Sequence, residues 1–467
     1  MFRVKFYGYG PRASIAVDGK NVDVGPDEFL AAEGLGTFGG LDVEAKIGAL
    51  LSSGKDLRKT TLRMHSESTR RGHASITTSL HLELEVLKCS RALSLVLVAP
   101  IFGSYLQESQ RRSRVTLDDA VEPLDLGDGR QLYWKMFQKL LKTYDQLLEA
   151  GVELEDARYL LPLGTATSLF ISSSFENYVG LLQLCSEKSG YLPAEVHAFA
   201  EVYGGKIAEI APQLYRARMS FRNRLTSYPY PLLFKPHDIL LEKIVRNAGM
   251  PQEPVILNHV NLIGDLPPFS EDLKEVLDSV NPLISATTLE PMSLVAYHQA
   301  VRHRTVPTAV ESIYTAAERA LKSPQENIVT PPTIKKDERL KTHYIDAVLD
   351  ALNTYEELVS MGVKPSAACY ILPQALRLYV VRCYNGYNLL YPQGFIGTRT
   401  CSYTQWEERG IAYKIWRELE KTYPDTARHM GEKCRYLGYC PEKDWCPIIL
   451  KYHRYSDEIH KLQQGNL

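Results

Sequence analysis

Alternating apolar and polar side chains predict a strand in one short stretch of the chain. The apolar positions in this stretch are Leu80, Leu82, Leu84 and Val86. A period of two is typical of a strand that is buried on one face only. The apolar run SRALSLVLVAPIF, residues 90–102, follows directly and predicts a helix. A weaker strand pattern lies at residues 284–289.

A second pattern occurs twice. Residues 143–162 read TYDQLLEAGVELEDARYLLP and residues 354–373 read TYEELVSMGVKPSAACYILP, at a constant offset of 211 residues (143 to 354, 162 to 373). Apolar side chains recur at helical spacing in and before each copy: Phe137, Leu141, Tyr144, Leu147 and Leu148, then Val348, Leu352, Tyr355, Leu358 and Val359. This spacing predicts an amphipathic helix in each copy. Gly151 and Gly362 are expected to end these helices in the left-handed conformation, and a second apolar helix is expected near each Leu-Pro.

A similarity seen only twice, at so long a period, indicates a duplicated domain rather than a solenoid. Three prolines in SYPYPLLFKP, residues 227–236, disfavour regular structure and mark the expected boundary. We therefore predict two copies, at residues 1–230 and 236–467. Each copy is expected to be helix-rich with a small sheet, so the predicted fold class is α+β.

Composition narrows the kinds of partner. Of the 467 residues, 45% are hydrophobic and 23% are charged, as in ordinary globular proteins, and the formal net charge is −1. This balance gives no electrostatic argument for nucleic acid or a membrane surface. The longest apolar run, residues 93–102, is too short to span a bilayer, and no signal-peptide pattern opens the sequence. We therefore expect a cytoplasmic protein that binds neither nucleic acid nor membrane.

Eight cysteines do not make a chain of this length disulfide-rich, so a reducing compartment is expected. Cys434, Cys440 and Cys446 follow a C-x5-C-x5-C spacing. Zinc sites prefer closer pairs and a fourth ligand, which Cys401 or His429 could supply. A structural role is the main interpretation and a metal the lesser one, so no metal site is predicted.

Candidate binding chemistry is divided between two loops. Residues 298–304 read HQAVRHR, where two arginines around a histidine offer charged, forked donors for an anionic ligand such as a pyrophosphate. The same loop continues with Pro307 and Tyr314, where a phosphate-binding loop needs a hydroxyl and another arginine. Residues 103–112, GSYLQESQRR, supply serines and an arginine that suit a phosphomonoester.

The two loops together resemble the signature of the flavin-dependent thymidylate synthases, Gln-x-x-Arg-His-Arg-x-x-Ser-x-x-x-x-Ser-x-Arg. The second copy carries the front part as Gln299, Arg302, His303 and Arg304, and the first copy carries the back part as Ser104, Ser109 and Arg111. The resemblance implies that the Arg-His-Arg part holds FAD. It implies that Gln299 and the serine loop bind the nucleotide dUMP.

The same division continues downstream. The family has an Ala-Arg-x-x-Leu-Pro segment whose arginine contacts dUMP, and residues 157–162 match it with Arg158, while the second copy has lost the arginine. Asn385 matches an asparagine that the family associates with flavin. Arg399, ahead of the Gln-Trp-Glu sequence at residues 405–407, matches the family's proposed catalytic arginine, which polarises the pyrimidine.

The resemblance also implies the reaction. Reduced FAD, recharged by NADPH, would act with methylenetetrahydrofolate to methylate dUMP to dTMP, at a composite site built from both copies. The family forms homotetramers, so a homodimer of this fused chain would be a pseudo-tetramer, and the pseudo-symmetric second site would be dead. Two alternatives stay open. One is a related flavin-dependent enzyme that modifies another pyrimidine nucleotide, and the other is a non-catalytic nucleotide-binding or scaffold protein.

Overall fold

The structure is a computed structural model, and its chain packs into two compact units. It describes residues 2–17, 19–35, 40, 42–73, 75–220, 231–264, 278–279, 281–442 and 446–452. Unit 1 consists of Met1–Ala150, Leu161–Tyr230 and Asp350–Leu372, and unit 2 consists of Gly151–Leu160, Pro231–Leu349 and Pro373–Leu467. Two short segments, 151–160 and 350–372, thus pack with the unit that carries the other copy's sequence. The predicted boundary at 227–236 lies partly outside the described residues, and the copy limits 1–230 and 236–467 stay a prediction.

Unit 1 contains a four-stranded and a two-stranded antiparallel sheet. Its strands are β1 (Arg3–Gly10), β2 (Ala13–Val17), β3 (Lys20–Val24), β4 (His81–Ser90), β5 (Gly103–Gln107) and β6 (Ala166–Ser174). The larger sheet has the order β1-β4-β6-β5, and β2 pairs with β3. Its helices are Pro26–Leu35, Val43–Ser52, Leu57–Arg70, Ser75–Ser79, Arg91–Leu97, Leu117–Asp119, Gly127–Gly129, Arg130–Glu149, Glu176–Ser186, Ala194–Ile210, Pro212–Ser220, Pro365–Ala368 and Cys369–Ile371.

Unit 2 contains one four-stranded antiparallel sheet. Its strands are β7 (Val255–Asn261), β8 (Ile284–Ser293), β9 (Thr308–Val310) and β10 (Arg377–Asn385), in the order β7-β8-β10-β9. Its helices are Leu154–Ala157, Arg158–Leu160, Ile239–Asn247, Asn281–Leu283, Leu294–Ala300, Ile313–Lys322, Pro324–Asn327, Pro332–Lys335, Gly386–Leu390, Phe395–Arg399, Trp406–Thr422, Pro424–Ala427, Lys433–Leu437 and Pro447–Lys451. The helix Glu338–Ser360 contributes residues to both units.

The two four-stranded sheets have the same topology. In each unit the first strand of the sheet pairs with the second, the second with the fourth, and the fourth with the third. Helices account for most of the remaining regular structure, so the predicted α+β class with a small sheet in each copy is confirmed. Among the described residues, we find no helix with the length and apolar character needed to cross a membrane.

The strand predicted from the alternating pattern is confirmed as β4. Leu82, Leu84 and Val86 are buried at alternate positions of this strand, whereas His81 and Glu83 are exposed. Ser90 ends the strand and caps the next helix, Arg91–Leu97, all of whose residues are buried. Strand β8 ends in the same way at Ser293, which caps Leu294–Ala300. Each sheet therefore passes directly into a buried helix.

The repeated helices end at glycines as expected. The helix Arg130–Glu149 is followed by Gly151 with φ +86°, and Glu338–Ser360 is followed by Gly362 with φ +91°. The prediction of a second helix near each Leu-Pro is wrong, because strands β6 and β10 begin shortly after these two sites, at Ala166 and Arg377. Both strands lie in the middle of a sheet, and a short apolar run in a buried strand cannot be told from a helix by its pattern alone.

The two segments that pack with the other copy's unit, residues 151–160 and 350–372, each bring a tyrosine to a buried glutamate. In unit 2, the Tyr159 hydroxyl donates to Glu407 at 2.6 Å, and Ser293 donates its N–H and its hydroxyl to the same carboxylate at 2.8 and 2.5 Å. In unit 1, the Tyr370 hydroxyl donates to Glu195 at 2.8 Å, and the N-cap serine of that unit donates to the same carboxylate. The two units therefore repeat one arrangement of serine, glutamate and borrowed tyrosine.

Candidate functional site

The Arg-His-Arg sequence lies in a turn between the helix Leu294–Ala300 and strand β9. Thr305 fixes this turn, because its hydroxyl donates to Oδ1 of Asn388 at 3.0 Å and its carbonyl accepts from Nδ2 of Asn388 at 3.0 Å. Asn388 is held in turn by Asn385, whose Oδ1 accepts its backbone N–H at 3.1 Å and its amide at 2.7 Å. The side-chain oxygen of Asn385, Oδ1, therefore caps the helix Gly386–Leu390.

Arg399 and His303, both predicted from the sequence, contact each other directly. Arg399 donates from Nε to Nε2 of His303 at 2.5 Å. A guanidinium is only a donor, so this ring nitrogen carries no proton and the imidazole is neutral. Burial, followed by the charges of Arg399, Arg382 and Arg302, holds the pKa of His303 well below its usual value. The side chain of Arg399 itself remains 23% exposed.

Arg158 belongs to unit 2, although it comes from the first copy of the sequence. Its side chain is buried, and its Nε donates to the carbonyl of Glu155 at 3.1 Å. Arg302 is half-buried nearby, and its pKa is lowered by burial and then by the charges of Arg399 and Arg158. The structure thus brings these three arginines together with His303, and we call this group the arginine cluster.

Aromatic and acidic side chains fasten the segment that carries Arg158. Tyr159 stacks on Trp406 with 5.6 Å between ring centroids. Asp156 accepts from Nε1 of Trp406 at 2.8 Å and from the hydroxyl of Thr333 at 2.5 Å. Trp406 therefore works as an anchor for this segment, which fixes the backbone beside Arg158.

Gln299 comes just before Arg302 in the sequence and Arg304 comes just after His303. The two side chains differ in their exposure to solvent. Nε2 of Gln299 is buried and has no hydrogen-bond partner among the described residues. A buried donor in that state costs stability unless a ligand completes it, so this amide suits an acceptor on a bound molecule. Arg304, in contrast, is exposed to solvent.

Sequence reasoning missed three buried charged residues next to the arginine cluster. Arg382 on β10 and Glu290 on β8 form a fully buried pair in which Arg382 Nε donates at 2.7 Å. Burial by itself lowers the pKa of Arg382, but the carboxylate of Glu290 raises it above its ordinary value. Glu408, also fully buried, lies 3.6 Å from Nε of Arg399. An arginine inside the apolar stretch of β10 was the available signal, because a fully buried arginine is almost always paired.

The back half of the signature lies in unit 1. Ser104 is exposed on β5. Ser109 and Arg111 are half-buried in the turn after that strand, where the N–H of Arg111 donates to Oγ of Ser109 at 3.3 Å. Ser109 also lines a cavity together with Lys88 and Arg91. The structure therefore brings Ser109 and Arg111 together, whereas the arginine cluster belongs to unit 2.

Four cysteines line one small cavity in unit 2, namely Cys401, Cys434, Cys440 and Cys446. All four are free thiols. Burial raises the pKa of Cys434 to about 11, which favours its protonated thiol form. Within the described part of the chain, no group of three or more His, Cys, Asp and Glu side chains is placed to hold a metal ion.

A known family model matches most of the two sequence copies. The family is described as thymidylate synthase complementing protein, and the match covers residues 42–213 and 279–425, more than half of the chain. The chain belongs to this family. The resemblance inferred from the two half-signatures is confirmed, and a match in two separate segments fits a duplicated family domain.

Two relatives named flavin-dependent thymidylate synthase match part of the chain. The protein of Pyrococcus furiosus is 32% identical over 170 residues, which are 34% of this chain and 66% of that protein. The protein of Sulfolobus acidocaldarius is 33% identical over 150 residues, which are 32% of this chain and 54% of that protein. The chain thus spans less than two thirds of these relatives. A solved structure of the UMP/dUMP methylase PolB from Streptomyces cacaoi with 5-Br dUMP is 17% identical, with a TM-score of 0.33, over 49% of this chain and 98% of that one.

The two family domains of the chain differ at the buried charges. The unit 1 counterparts are apolar and fully buried: Ile171 for Arg382, Val86 for Glu290 and Val196 for Glu408. The first two follow from the strand pairing, because β6 and β10 match at the same 211-residue offset (166 to 377) and pair with β4 and β8 in corresponding registers. The third follows because Glu195 and Glu407 make the same contacts. Only unit 2, among the described residues, carries this charge network.

Proposed function

We propose that this family member is a flavin-dependent thymidylate synthase. It would methylate dUMP to dTMP with methylenetetrahydrofolate as the one-carbon donor and NADPH as the reductant. The observation that carries the proposal is the arginine cluster, in which Arg158 from the first sequence copy lies with Arg302 and Arg399 from the second. Neither copy alone supplies this set, which accounts for the complementary losses in the two half-signatures. The relatives named above support the same reaction.

The arginine cluster suits the negatively charged pyrophosphate of a flavin cofactor. Guanidinium groups stay charged, and in a half-buried position their attraction to a pyrophosphate is screened less than in bulk water. Arg302, His303 and Arg304 would hold FAD, with the amide nitrogen of Asn385 beside them. When bound, FAD would supply the reducing equivalents that NADPH delivers for the new methyl group.

Three residues are proposed to bind the pyrimidine of dUMP: Arg158, Gln299 and Arg399. The buried amide nitrogen of Gln299 would donate to a carbonyl oxygen of the ring. Arg399 is the proposed catalytic residue, because its guanidinium would stabilise the negative charge that develops on the ring when C5 reacts. His303 holds Arg399 through Nε and is neutral, so it adds no second charge to the site. Positioning and charge stabilisation are enough for this role, without a side-chain nucleophile.

Other parts of the proposal rest on the sequence. Ser104, Ser109 and Arg111 are proposed to bind the phosphate of dUMP at this same site. The chain is proposed to form a homodimer, which would be a pseudo-tetramer of family domains, and to work in the cytoplasm. Light scattering on the purified protein tests the homodimer, and a monomer would contradict it.

Tritium release from dUMP labelled at C5 tests the proposed reaction. Purified protein is expected to take up FAD and to release tritium only when methylenetetrahydrofolate and NADPH are both present. Arg399→Ala is expected to fold and to keep FAD but to lose release by about a hundredfold or more, because one preorganised charge-stabilising donor is removed. Arg409→Ala is the matched control, since Arg409 donates to the carbonyl of Ser402 and lies outside the arginine cluster.

The other outcomes distinguish the alternatives. A colourless protein that takes up no added FAD contradicts the proposal and favours a non-catalytic nucleotide-binding or scaffold protein. A flavoprotein that leaves dUMP unchanged but releases tritium from another labelled uridine nucleotide favours a related modifying enzyme. Unchanged release by Arg399→Ala would remove this residue from the mechanism.

A further inference from the structure

Glu290 and Arg382 form a buried salt bridge in the core of unit 2. Both side chains are fully buried. Arg382 donates to Oε2 of Glu290 from Nε at 2.7 Å and also from its second terminal nitrogen. The other carboxylate oxygen accepts from the hydroxyls of Tyr384 at 2.7 Å and Thr288 at 2.5 Å. Glu290 is thus fully hydrogen-bonded, and Arg382 is locked in place by it.

Glu408 is held quite differently. It occupies the third position of the helix Trp406–Thr422 and is fully buried, but among the described residues neither of its carboxylate oxygens has a hydrogen-bond partner. One oxygen lies 3.8 Å from the locked Arg382 and the other lies 3.6 Å from Nε of Arg399. A buried carboxylate held only by such longer ion pairs is costly, so packing alone gives no reason for its presence.

The first family domain shows that the fold does not need this charge network. Where unit 2 has Glu290, Arg382 and Glu408, unit 1 packs two valines and an isoleucine, all fully buried. Replacing a buried ionic group by well-packed apolar residues is often neutral or stabilising. In the part of the chain that the structure describes, these charges occur only in the unit that contains the arginine cluster, which points to the chemistry of that cluster rather than to stability.

We propose that Glu408 is a positioning residue for Arg399. Its carboxylate supplies the counter-charge on the Nε edge of Arg399, while His303 accepts the hydrogen bond from the same atom. Arg382 is already paired with Glu290, whereas Glu408 has no hydrogen-bonded partner among the described residues and lies within ion-pair distance of both Arg382 and Arg399. Together these groups present the guanidinium to the ligand in one orientation. The inference rests on the proposed function, in which Arg399 stabilises charge on the pyrimidine.

The test is a double-mutant cycle on the full chain loaded with FAD, using Glu408→Gln and Arg399→Lys. Glu408→Gln keeps the size of the side chain and removes its charge. We expect it to fold, to bind FAD, and to lower kcat for tritium release at least about tenfold, with a smaller change in KM for dUMP, because the lost effect belongs to the transition state. In the Arg399→Lys background the same substitution is expected to change kcat by less than about threefold, because a residue that acts through another loses its effect when that partner is altered.

Glu432→Gln is the matched control. Glu432 is another buried carboxylate of unit 2, but it accepts from Tyr413 at 2.6 Å and from Lys451 at 2.8 Å, outside the arginine cluster. If the effect of this control substitution is merely structural, it should lower the melting temperature. Its effect on kcat should then multiply with the effect of Arg399→Lys on kcat. If Glu408→Gln does not fold, Glu408→Asp, which keeps the charge and shortens the reach, takes its place in the cycle with the same expectation.

Two results would overturn the inference alone. One is a kcat of Glu408→Gln equal to that of an active wild type. The other is a pair of losses, for Glu408→Gln and Arg399→Lys, that multiply as independent effects. A wild type that binds no FAD or releases no tritium would instead overturn the proposed function, and this inference with it.

Discussion

The hydroxyl of Tyr159 donates to the carboxylate of Glu407 at 2.6 Å, although 248 positions separate the two residues. The contact fastens the segment that carries Arg158 to the helix Trp406–Thr422 within unit 2. Tyr370 makes the corresponding contact to Glu195 in unit 1, across 175 positions. Each unit therefore contains a tyrosine from the other sequence copy. In unit 2 that tyrosine adjoins Arg158, a residue predicted to bind the substrate.

Tyr159→Phe is expected to weaken both stability and dUMP binding. Removing a hydroxyl that donates to a buried carboxylate costs about 1–3 kcal/mol, because the acceptor is left incompletely satisfied. Loosening the segment also displaces Arg158, so the dissociation constant for dUMP should rise. Thermal unfolding and a dUMP titration monitored by the flavin spectrum measure the two effects.

Tyr370→Phe is the matched control for Tyr159→Phe. It removes the same contact in unit 1, so it should lower stability to a similar extent and leave dUMP binding close to wild type. Equal losses of dUMP affinity in the two variants would argue against a special role for the segment that carries Arg158.

His303 is expected to make the stability of unit 2 depend on pH. Its pKa in the folded protein lies well below the ordinary 6.5 because of burial and the neighbouring arginines. The unfolded chain therefore takes up a proton near pH 6.5 that the folded chain refuses, so this stabilisation is present above pH 6.5 and is lost as the pH falls below it.

Urea unfolding at about pH 7.5 and about pH 5.5 measures this dependence. His303→Gln keeps an acceptor for Arg399 but does not titrate, so it should show a smaller difference between the two pH values than wild type. His81→Gln, at an exposed position of β4, serves as the control and should leave the wild-type difference in place. An unchanged difference in His303→Gln would contradict the assignment.

The chain is expected to bind one FAD rather than two. Unit 1 has Pro100 at the place of His303 and apolar side chains at the places of the buried charges. Flavin absorbance divided by protein concentration should give one FAD per chain. Arg302→Ala should lose most of the bound flavin and Pro100→Ala should keep it. Two flavins per chain would show that the second domain also has a working site.

Two glycine substitutions should change stability in opposite directions. Gly362 has φ +91°, so Gly362→Ala should destabilise the fold by about 1–2 kcal/mol, the cost of a left-handed L-residue. Gly205 is exposed within the helix Ala194–Ile210, and an added Cβ would meet no atom within 4 Å apart from its chain neighbours and the backbone of its own helix. Gly205→Ala should therefore stabilise by about 0.5–1 kcal/mol. Urea unfolding of both variants tests the pair, and a destabilised Gly205→Ala would contradict the argument.

Local pattern was enough for much of the fold. The alternation around Leu82 and Leu84 predicted β4, and the helical spacing before Gly151 and Gly362 predicted both repeated helices and their caps. These features depend on neighbours in sequence, so periodicity and a required positive φ reveal them. The same reasoning failed for β6 and β10, because a short strand buried between two others lacks a distinctive period.

By itself the sequence determined the family, the duplication and the complementary half-signatures, because these are properties of residue order. The tertiary structure decided which residues meet. It placed Arg158 with Arg302 in unit 2 through the exchange of a ten-residue segment, residues 151–160, and it revealed that Glu408 is buried beside Arg399. Such contacts join positions far apart in the chain, so only the packing of whole elements fixes them, and no local pattern encodes them.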